Sequence, residues 1–272
     1  MRRRWIGVKY KLAILEVNKR ILIVGAGNMA TAIATALKNC GNPPVAVWSR
    51  TEESARMLGT SIGCEWTNSL DALPPADVVI ISIVDSALDD VAPLVTRRYP
   101  DAVILHTAGS VPMDSLRTAG ASLYGVLYPM QTVNKNKVVP LDDVTVFIEG
   151  STPEVTEVIR SISSRISNKV VYATSEQRCS LHVAAVFACN FPNAVYCMAA
   201  EILEQFNLPF DSMLPLIEEA ARKVHKMSPS QAQTGPAKRG DINIMNMHKS
   251  MLTPELAQIY DLLSNYIMKR NK

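Results

Sequence analysis

The sequence predicts an α/β protein: a mostly parallel sheet covered by helices on both faces, followed by an all-helical C-terminal domain. Three observations carry this. Short continuous apolar runs, of which Ile21-Leu22-Ile23-Val24 is the first, end in glycine or polar turns, as strands buried on both faces do. Segments of helical period alternate with these runs as far as about residue 173, the pattern of βαβ units. Between residues 174 and 272 almost no period-two segment remains. The chain has 272 residues, 48% hydrophobic and 19% charged, which is a globular makeup with length enough for two cored domains.

The elements follow in order. Residues 21–24 form a strand, and 28–39 a helix with Ala30, Ile33, Ala34 and Leu37 on one face. A second strand is expected at 45–48 and a helix at 51–60. A strong strand at 78–83 leads through a helix near 86–98 to a strand at 103–105. Further strands are expected at 122–127, 144–148 and 169–172, with a helix near 153–165. One long helix then runs from about 176 to 206. Pro192 should kink it, because proline removes a backbone donor and clashes with the preceding turn. Helices near 211–227, 241–251 and 254–269 complete the chain.

The net charge of +3 is unevenly spread. Residues 1–20 carry seven basic side chains against one acid, Glu16, leaving a mildly acidic body. A basic tail on such a body does not suggest nucleic-acid binding. Lys9 and Lys11 interrupt the apolar part of this tail and no small-residue cleavage site follows, so residues 1–20 read as a basic extension rather than a signal peptide. No uninterrupted apolar run reaches the roughly 18 residues of a membrane span, so no membrane partner is expected. The five cysteines (Cys40, Cys64, Cys179, Cys189, Cys197) show neither CxxC nor metal-ligand spacing. They suggest a reducing compartment, the cytoplasm, and no metal.

The most informative segment is Gly25-Ala26-Gly27-Asn28-Met29-Ala30, a G-x-G-x-x-A turn between a strand and a helix. Gly25 permits the tight turn, Gly27 lets a pyrophosphate approach the backbone, and Ala30 keeps helix and strand close. The N–H groups of Asn28, Met29 and Ala30 open the helix and favour an anion. This is a Rossmann-type dinucleotide turn, so a nicotinamide dinucleotide is expected. An acid at the end of the second strand would bind the ribose 2′-hydroxyl of NAD. The chain has Ser49-Arg50-Thr51 there instead. Arg50 suits a 2′-phosphate, with hydroxyl donors on either side, which favours NADP(H). Ser49-Arg50-Thr51-Glu52 also fits a helix capping box.

Ligands in such sheets lie beyond the carboxyl ends of the strands. Ser82-Ile83-Val84-Asp85 falls there, and Asp85 can orient a ribose or cap the next helix. His106 through Ser110 follows the next strand; His106 reads as structural, and the backbone of Gly109 can face the nicotinamide. Pro129 and Met130 can wall the ring or pack between domains. In the helical region, His182 is a candidate proton donor, and Asn190 can hold a substrate carbonyl or carboxylate. Asn193 lies 11 residues after His182 and so returns to nearly the same face. Arg239, in the rigid segment 234–241, can clamp an anionic substrate, and Asp241 is a natural N-cap. An Arg239–Asp241 pair is the structural alternative. A metal site from His182, Asp241 and His248 is conceivable, but no spacing enforces it.

The glycine turn resembles that of pyrroline-5-carboxylate reductase, although that enzyme's serine- and glycine-rich substrate motif is missing here. A closer resemblance is to a family of bacterial Rossmann-like proteins with a C-terminal domain of unknown function. They are labelled NADP oxidoreductases by analogy with deazaflavin-dependent NADP reductases. It rests on Tyr128-Pro129-Met130-Gln131-Thr132, on His182-Val183-Ala184-Ala185-Val186-Phe187 continuing to Asn190-Phe191, on Thr234-Gly235-Pro236 with Arg239-Gly240-Asp241, and on His248. It covers nearly everything after residue 20. Tyr128 departs from the pattern, since the family usually has histidine before the proline, and this lessens the case for catalysis at that position. The resemblance implies a 6-phosphogluconate-dehydrogenase-like arrangement, with a small substrate bound between the domains and dimerisation through the helices. The expected function is hydride transfer to or from a C=O or C=N group. A non-catalytic NADP(H) sensor or interaction protein is the alternative, favoured by a large apolar patch away from the cofactor site.

Overall fold

The computed structural model describes residues 19–133 and 139–270. The expected basic extension lies outside these, except for Lys19 and Arg20. The guanidinium of Arg20 pairs with Asp77 at 2.8 Å and holds that carboxyl below its ordinary range.

Eight strands form one sheet: β1 (Ile21–Val24), β2 (Ala46–Trp48), β3 (Glu65–Thr67), β4 (Val78–Ile81), β5 (Val103–His106), β6 (Leu123–Pro129), β7 (Thr145–Gly150) and β8 (Lys169–Tyr172). Their order is β3-β2-β1-β4-β5-β6-β7-β8. All neighbours are parallel except β6 and β7, so the last two strands run against the rest. The strand order reverses between β1 and β4, which opens the crevice where such sheets bind ligands.

Alternate residues of each central strand feed different cores. Ile21, Ile23, Val78 and Ile80 pack under α1 (Asn28–Asn39), α2 (Glu52–Ile62) and α5 (Pro153–Ile166). Leu22, Val24, Val79 and Ile81 pack under α3 (Leu88–Arg98) and Leu116 of the short α4 (Asp114–Thr118). Because both faces are covered, the strands read as unbroken apolar runs. Two elements between β1 and β8 were not expected from sequence. β3 is a three-residue edge strand, Glu65-Trp66-Thr67, with too little apolar pattern to be recognised, and α4 spans little more than one turn.

The chain divides into two compact units, the first ending at Val186 and the second beginning at Phe187. The first unit includes α6 (Ser175–Ala185). A capping box starts this helix: the Thr174 hydroxyl accepts from Gln177 N–H, and the Gln177 side chain accepts from Thr174 N–H. A π-helical turn, Val186–Asn190, follows. Pro192 was expected to kink the helix. The hydrogen-bond ladder changes register just before it, in that π-helical turn, and Pro192 sits in the first turn of α7 (Phe191–Glu204), where a missing donor costs little.

The second unit continues with α8 (Leu214–Lys226), α9 (Pro229–Ala232), α10 (Pro236–Arg239), α11 (Ile242–Ser250) and α12 (Pro254–Lys269). It buries almost nothing. Among its described residues only Ala237, Met245 and Ser264 are buried, and α7 and α8 bury none. Leu262 is 72% exposed, and Phe187 and Leu216 are each 67% exposed. Its internal ties include polar ones, His248 Nδ1 lying 3.0 Å from the Tyr260 hydroxyl and Lys249 pairing with Asp261, and an edge-to-face contact of Phe187 with Phe191.

Residues Ser175–Glu204 are long and apolar enough, by length and composition, to cross a membrane. The sequence reading missed this because His182, Asn190 and Asn193 break the apolar runs. The start of this helix belongs to the globular sheet unit, since Arg178 is 1% exposed and paired with Glu149 of β7.

Candidate functional site

The carboxyl ends of β1, β2, β4, β5 and β6 gather the predicted cofactor residues of the first unit. Gly25 has φ 128°, and a Cβ there would overlap the Ser82 carbonyl. Glycine is therefore required both for the backbone angle and for close approach to the end of β4. Gly27, the N-cap of α1, is different: no described residue has an atom within 4 Å of where its Cβ would be. A glycine with no described neighbour there suits close approach of a phosphate to the backbone at the α1 N-terminus. Ala30 is fully buried against the sheet, and Met29 packs on the same core. The Asn28 amide donates to the Val133 carbonyl at 2.9 Å, while its Oδ1 is buried with no hydrogen bond.

At the end of β2, Arg50 is exposed and makes no ion pair or side-chain hydrogen bond with the described residues. The expected capping box does not form. The N-cap of α2 is Thr51, two positions after Ser49, so Glu52 is the first helical residue rather than the third, and the Thr51 hydroxyl donates to Ser54 Oγ at 2.8 Å. Ser49 is half-buried, with its N–H on the Thr67 carbonyl. Arg50 thus projects at the edge of the site with its donors unused.

Beyond β4, Ser82 is buried and accepts from the Thr107 hydroxyl at 3.0 Å. Val84 is 70% exposed, an apolar side chain at the rim. Asp85 makes no side-chain cap; it accepts from the Ser110 hydroxyl and so ties the β4 loop to the β5 loop. His106 is buried, and its Nε2 has no hydrogen-bond partner among the described residues. Burial, helped by the Arg178 charge, pushes its pKa down to about 3, and its Nδ1 accepts the Ala108 N–H at 3.2 Å.

Sequence reasoning missed a buried ion pair beneath this loop. Arg178 on α6 binds Glu149 at 2.7 Å and donates to the carbonyls of Ala108 and Val111. Ser175 also donates to Glu149, and its hydroxyl accepts the Met113 N–H. The signal was Glu149 itself, a lone charge at the end of an otherwise buried strand, which demands a counter-charge.

His182, four residues along α6 from Arg178, reaches the end of β6. Its Nδ1 is 3.3 Å from the Tyr128 hydroxyl, and the two rings meet edge to face. Tyr128 is 8% exposed, and burial raises its hydroxyl above the ordinary phenol range. Gly109 lies against both: a Cβ on it would sit 2.8 Å from His182 Nδ1 and 2.9 Å from the Tyr128 ring.

The remaining predicted residues belong to the helical unit. Asn190 and Asn193 are exposed, with no side-chain hydrogen bond among the described residues. Arg239 is exposed, and the alternative Arg239–Asp241 pair is not formed. Asp241 instead caps α11 by accepting the Ile244 N–H at 3.3 Å. Among the described residues no three His, Cys, Asp or Glu side chains cluster as metal ligands.

Residues 20–108 match the family described as coenzyme F420-dependent NADP oxidoreductase, and residues 144–267 match a domain of unknown function, DUF2520. The structure of a Bacteroides fragilis protein described as a putative NADP oxidoreductase is 45% identical, covers 93% of this chain and 99% of its own, and superposes with a TM-score of 0.87. The chain belongs to this family. In this chain the DUF2520 match takes in the last two strands of the sheet as well as the C-terminal helices. More distant structures share the fold alone. A reductive aminase from Aspergillus terreus, in complex with NADPH and ethyl levulinate, has 16% identity, coverage of 93% and 94%, and a TM-score of 0.69. A pyrroline-5-carboxylate reductase from Coxiella burnetii has 16% identity, coverage of 93% and 97%, and a TM-score of 0.57. Among curated proteins, a glutamyl-tRNA reductase from Saccharolobus solfataricus is 40% identical over 83 residues, a match to 27% of this chain and 20% of that one.

Proposed function

We propose that this chain is an NADP(H)-dependent oxidoreductase that moves a hydride to or from a small C=O or C=N substrate. The cradle at Gly27 carries the reading, because it faces the N-terminus of α1 at the point where strand order reverses. In this proposal Gly25, Gly27, Asn28, Met29 and Ala30 hold the pyrophosphate. Ser49, Arg50 and Thr51 take the 2′-phosphate. Ser82, Val84, Asp85 and Gly109 border the route toward the nicotinamide. When bound, the nicotinamide supplies or accepts the hydride. The chain's own groups do the remaining work: His182 handles the proton, and Asn190 and Arg239 orient the substrate. The reductase and aminase names of the similar structures agree with this class of reaction.

The assembly proposed is a homodimer through the helical unit, which as a single copy leaves large apolar side chains such as Leu216 and Leu262 in water. The five free cysteines suit a reducing compartment, and the cytoplasm is the proposed location. Calorimetric titration with NADPH and NADH, followed by a panel of carbonyls and imines, tests the reading. NADPH should bind at least tenfold more tightly than NADH, and one substrate class should turn over. Tight NADPH binding with no turnover across the panel would favour the sensor reading, which draws on the same exposed apolar face. No binding of either nucleotide would remove both.

A further inference from the structure

The contact between His182 and Tyr128 is held in place from three sides. Arg178 and His182 lie one helical turn apart on α6 and face the same way. Arg178 grips the loop after β5 by the Ala108 and Val111 carbonyls, on either side of Gly109. Gly109 in turn provides the space in which the two rings meet, since any larger residue would intrude on both. Tyr128 is fixed from behind by stacking on Phe147, with ring centroids 6.5 Å apart. His182 Nδ1 is the one hydrogen-bond partner of the Tyr128 hydroxyl among the described residues. A phenol is a good donor and a poor acceptor, whereas an imidazole nitrogen is a strong acceptor. A hydroxyl that donates to Nδ1 leaves the proton of a neutral imidazole on Nε2.

We propose that Tyr128 is the positioning residue of a concerted two-proton relay, acting through His182. This deepens the reading of His182 as proton donor and rests on it. In the reducing direction a hydride from NADPH adds to a carbonyl carbon, and the C=O π pair moves to oxygen. The Nε2–H bond of His182 breaks as its proton joins that oxygen. At the same time the Tyr128 O–H proton passes to Nδ1. The imidazole stays neutral throughout with its tautomer exchanged, and the negative charge ends on the Tyr128 oxygen until water restores the proton. The Arg178 charge favours the ionised form of Tyr128 and works against the effect of burial. The substrate class is a ketone or aldehyde, because its reduction develops the oxyanion this relay neutralises.

The relay is tested first in the cofactor-free protein. Nitrogen-15 spectra of labelled histidine, with the His182 signals assigned by their loss in His182→Gln, report the tautomer directly. Wild type should be protonated mainly at Nε2. Tyr128→Phe, which keeps the buried ring, should shift the tautomer ratio by about fivefold toward Nδ1. Gly109→Ala should shift it in the same direction by forcing the rings apart. An unchanged ratio in Tyr128→Phe overturns the proposal whatever the protein catalyses. With a carbonyl substrate in hand, Tyr128→Phe should lower kcat on the order of 100-fold with KM and NADPH affinity unmoved. If His182→Gln retains full turnover while the tautomer shift is seen, the proton-donor reading fails and the relay with it. The Tyr128–His182 hydrogen bond would then be a structural contact only.

Discussion

The two units spend their apolar residues in opposite ways. In the sheet unit, Ile21, Leu22, Ile23 and Val24 are all fully buried, and each central strand feeds a core on either face. In the helical unit, α7 and α8 bury nothing, although α7 carries Phe191, Val195, Tyr196, Met198, Ile202 and Leu203. The first unit can stabilise itself; the second has the composition of a core but lacks the other half of one. Apolar content alone does not say where a residue is buried, because helices can defer burial to a partner while a parallel sheet cannot.

The largest expected effect tests that contrast. Leu262→Asp, at a 72% exposed position, should do nothing to a protein whose helical face stays in water. If that face packs on a second copy, the substitution buries an unpaired charge twice, at a cost of several kcal/mol. Light scattering should then change from twice the chain mass to the chain mass.

Arg178→Met is the counterpart within the sheet unit. It leaves Glu149 buried without its partner and should cost about 3–5 kcal/mol in urea unfolding. The double variant Arg178→Met/Glu149→Gln should recover much of that loss. A small effect of the single variant would mean that the loop after β5 is not held by this pair.

Arg50→Ala should weaken NADPH binding about 10- to 100-fold while leaving NADH unchanged, since it removes charged hydrogen bonds to one phosphate. Equal losses for both nucleotides would place Arg50 elsewhere on the cofactor. Leu262→Asp should leave NADPH affinity intact, which keeps the two units' roles separable.

The smallest effect is a pH slope. Below pH 6.5 the unfolded chain takes up a proton on His106 that the folded chain refuses until about pH 3. Stability should therefore fall as pH falls through that window, by about 2 kcal/mol at pH 5. Thermal melts of wild type and His106→Gln at pH 7 and pH 5 should diverge accordingly; parallel losses would mean that other groups set the slope.

The sheet unit was largely legible in sequence because its signals are local. A strand buried on both faces is an apolar run, and the turn at Gly25 and Gly27 is a matter of backbone angle and missing Cβ atoms. β3 and α4 escaped notice because each is too short to show a period. In the site, Arg178, Glu149 and Tyr128 were missed or set aside for another reason: their partners lie 29 and 54 residues away in the chain. Nothing in the local pattern of α6 says that one turn of it grips a loop and the next meets a tyrosine.

By itself, then, the sequence determined seven of the eight strands, most of the helices, the nucleotide turn and the basic Arg50 at its edge. These depend on periodicity, on φ, and on residue chemistry within a few positions. Only the tertiary structure decided that Gly27 has no described neighbour at its Cβ position while Gly25 is pressed against β4. It also decided that Tyr128 and His182 share one hydrogen bond and that the helical unit buries almost nothing. Those facts depend on which distant segments meet, and no local spacing encodes that.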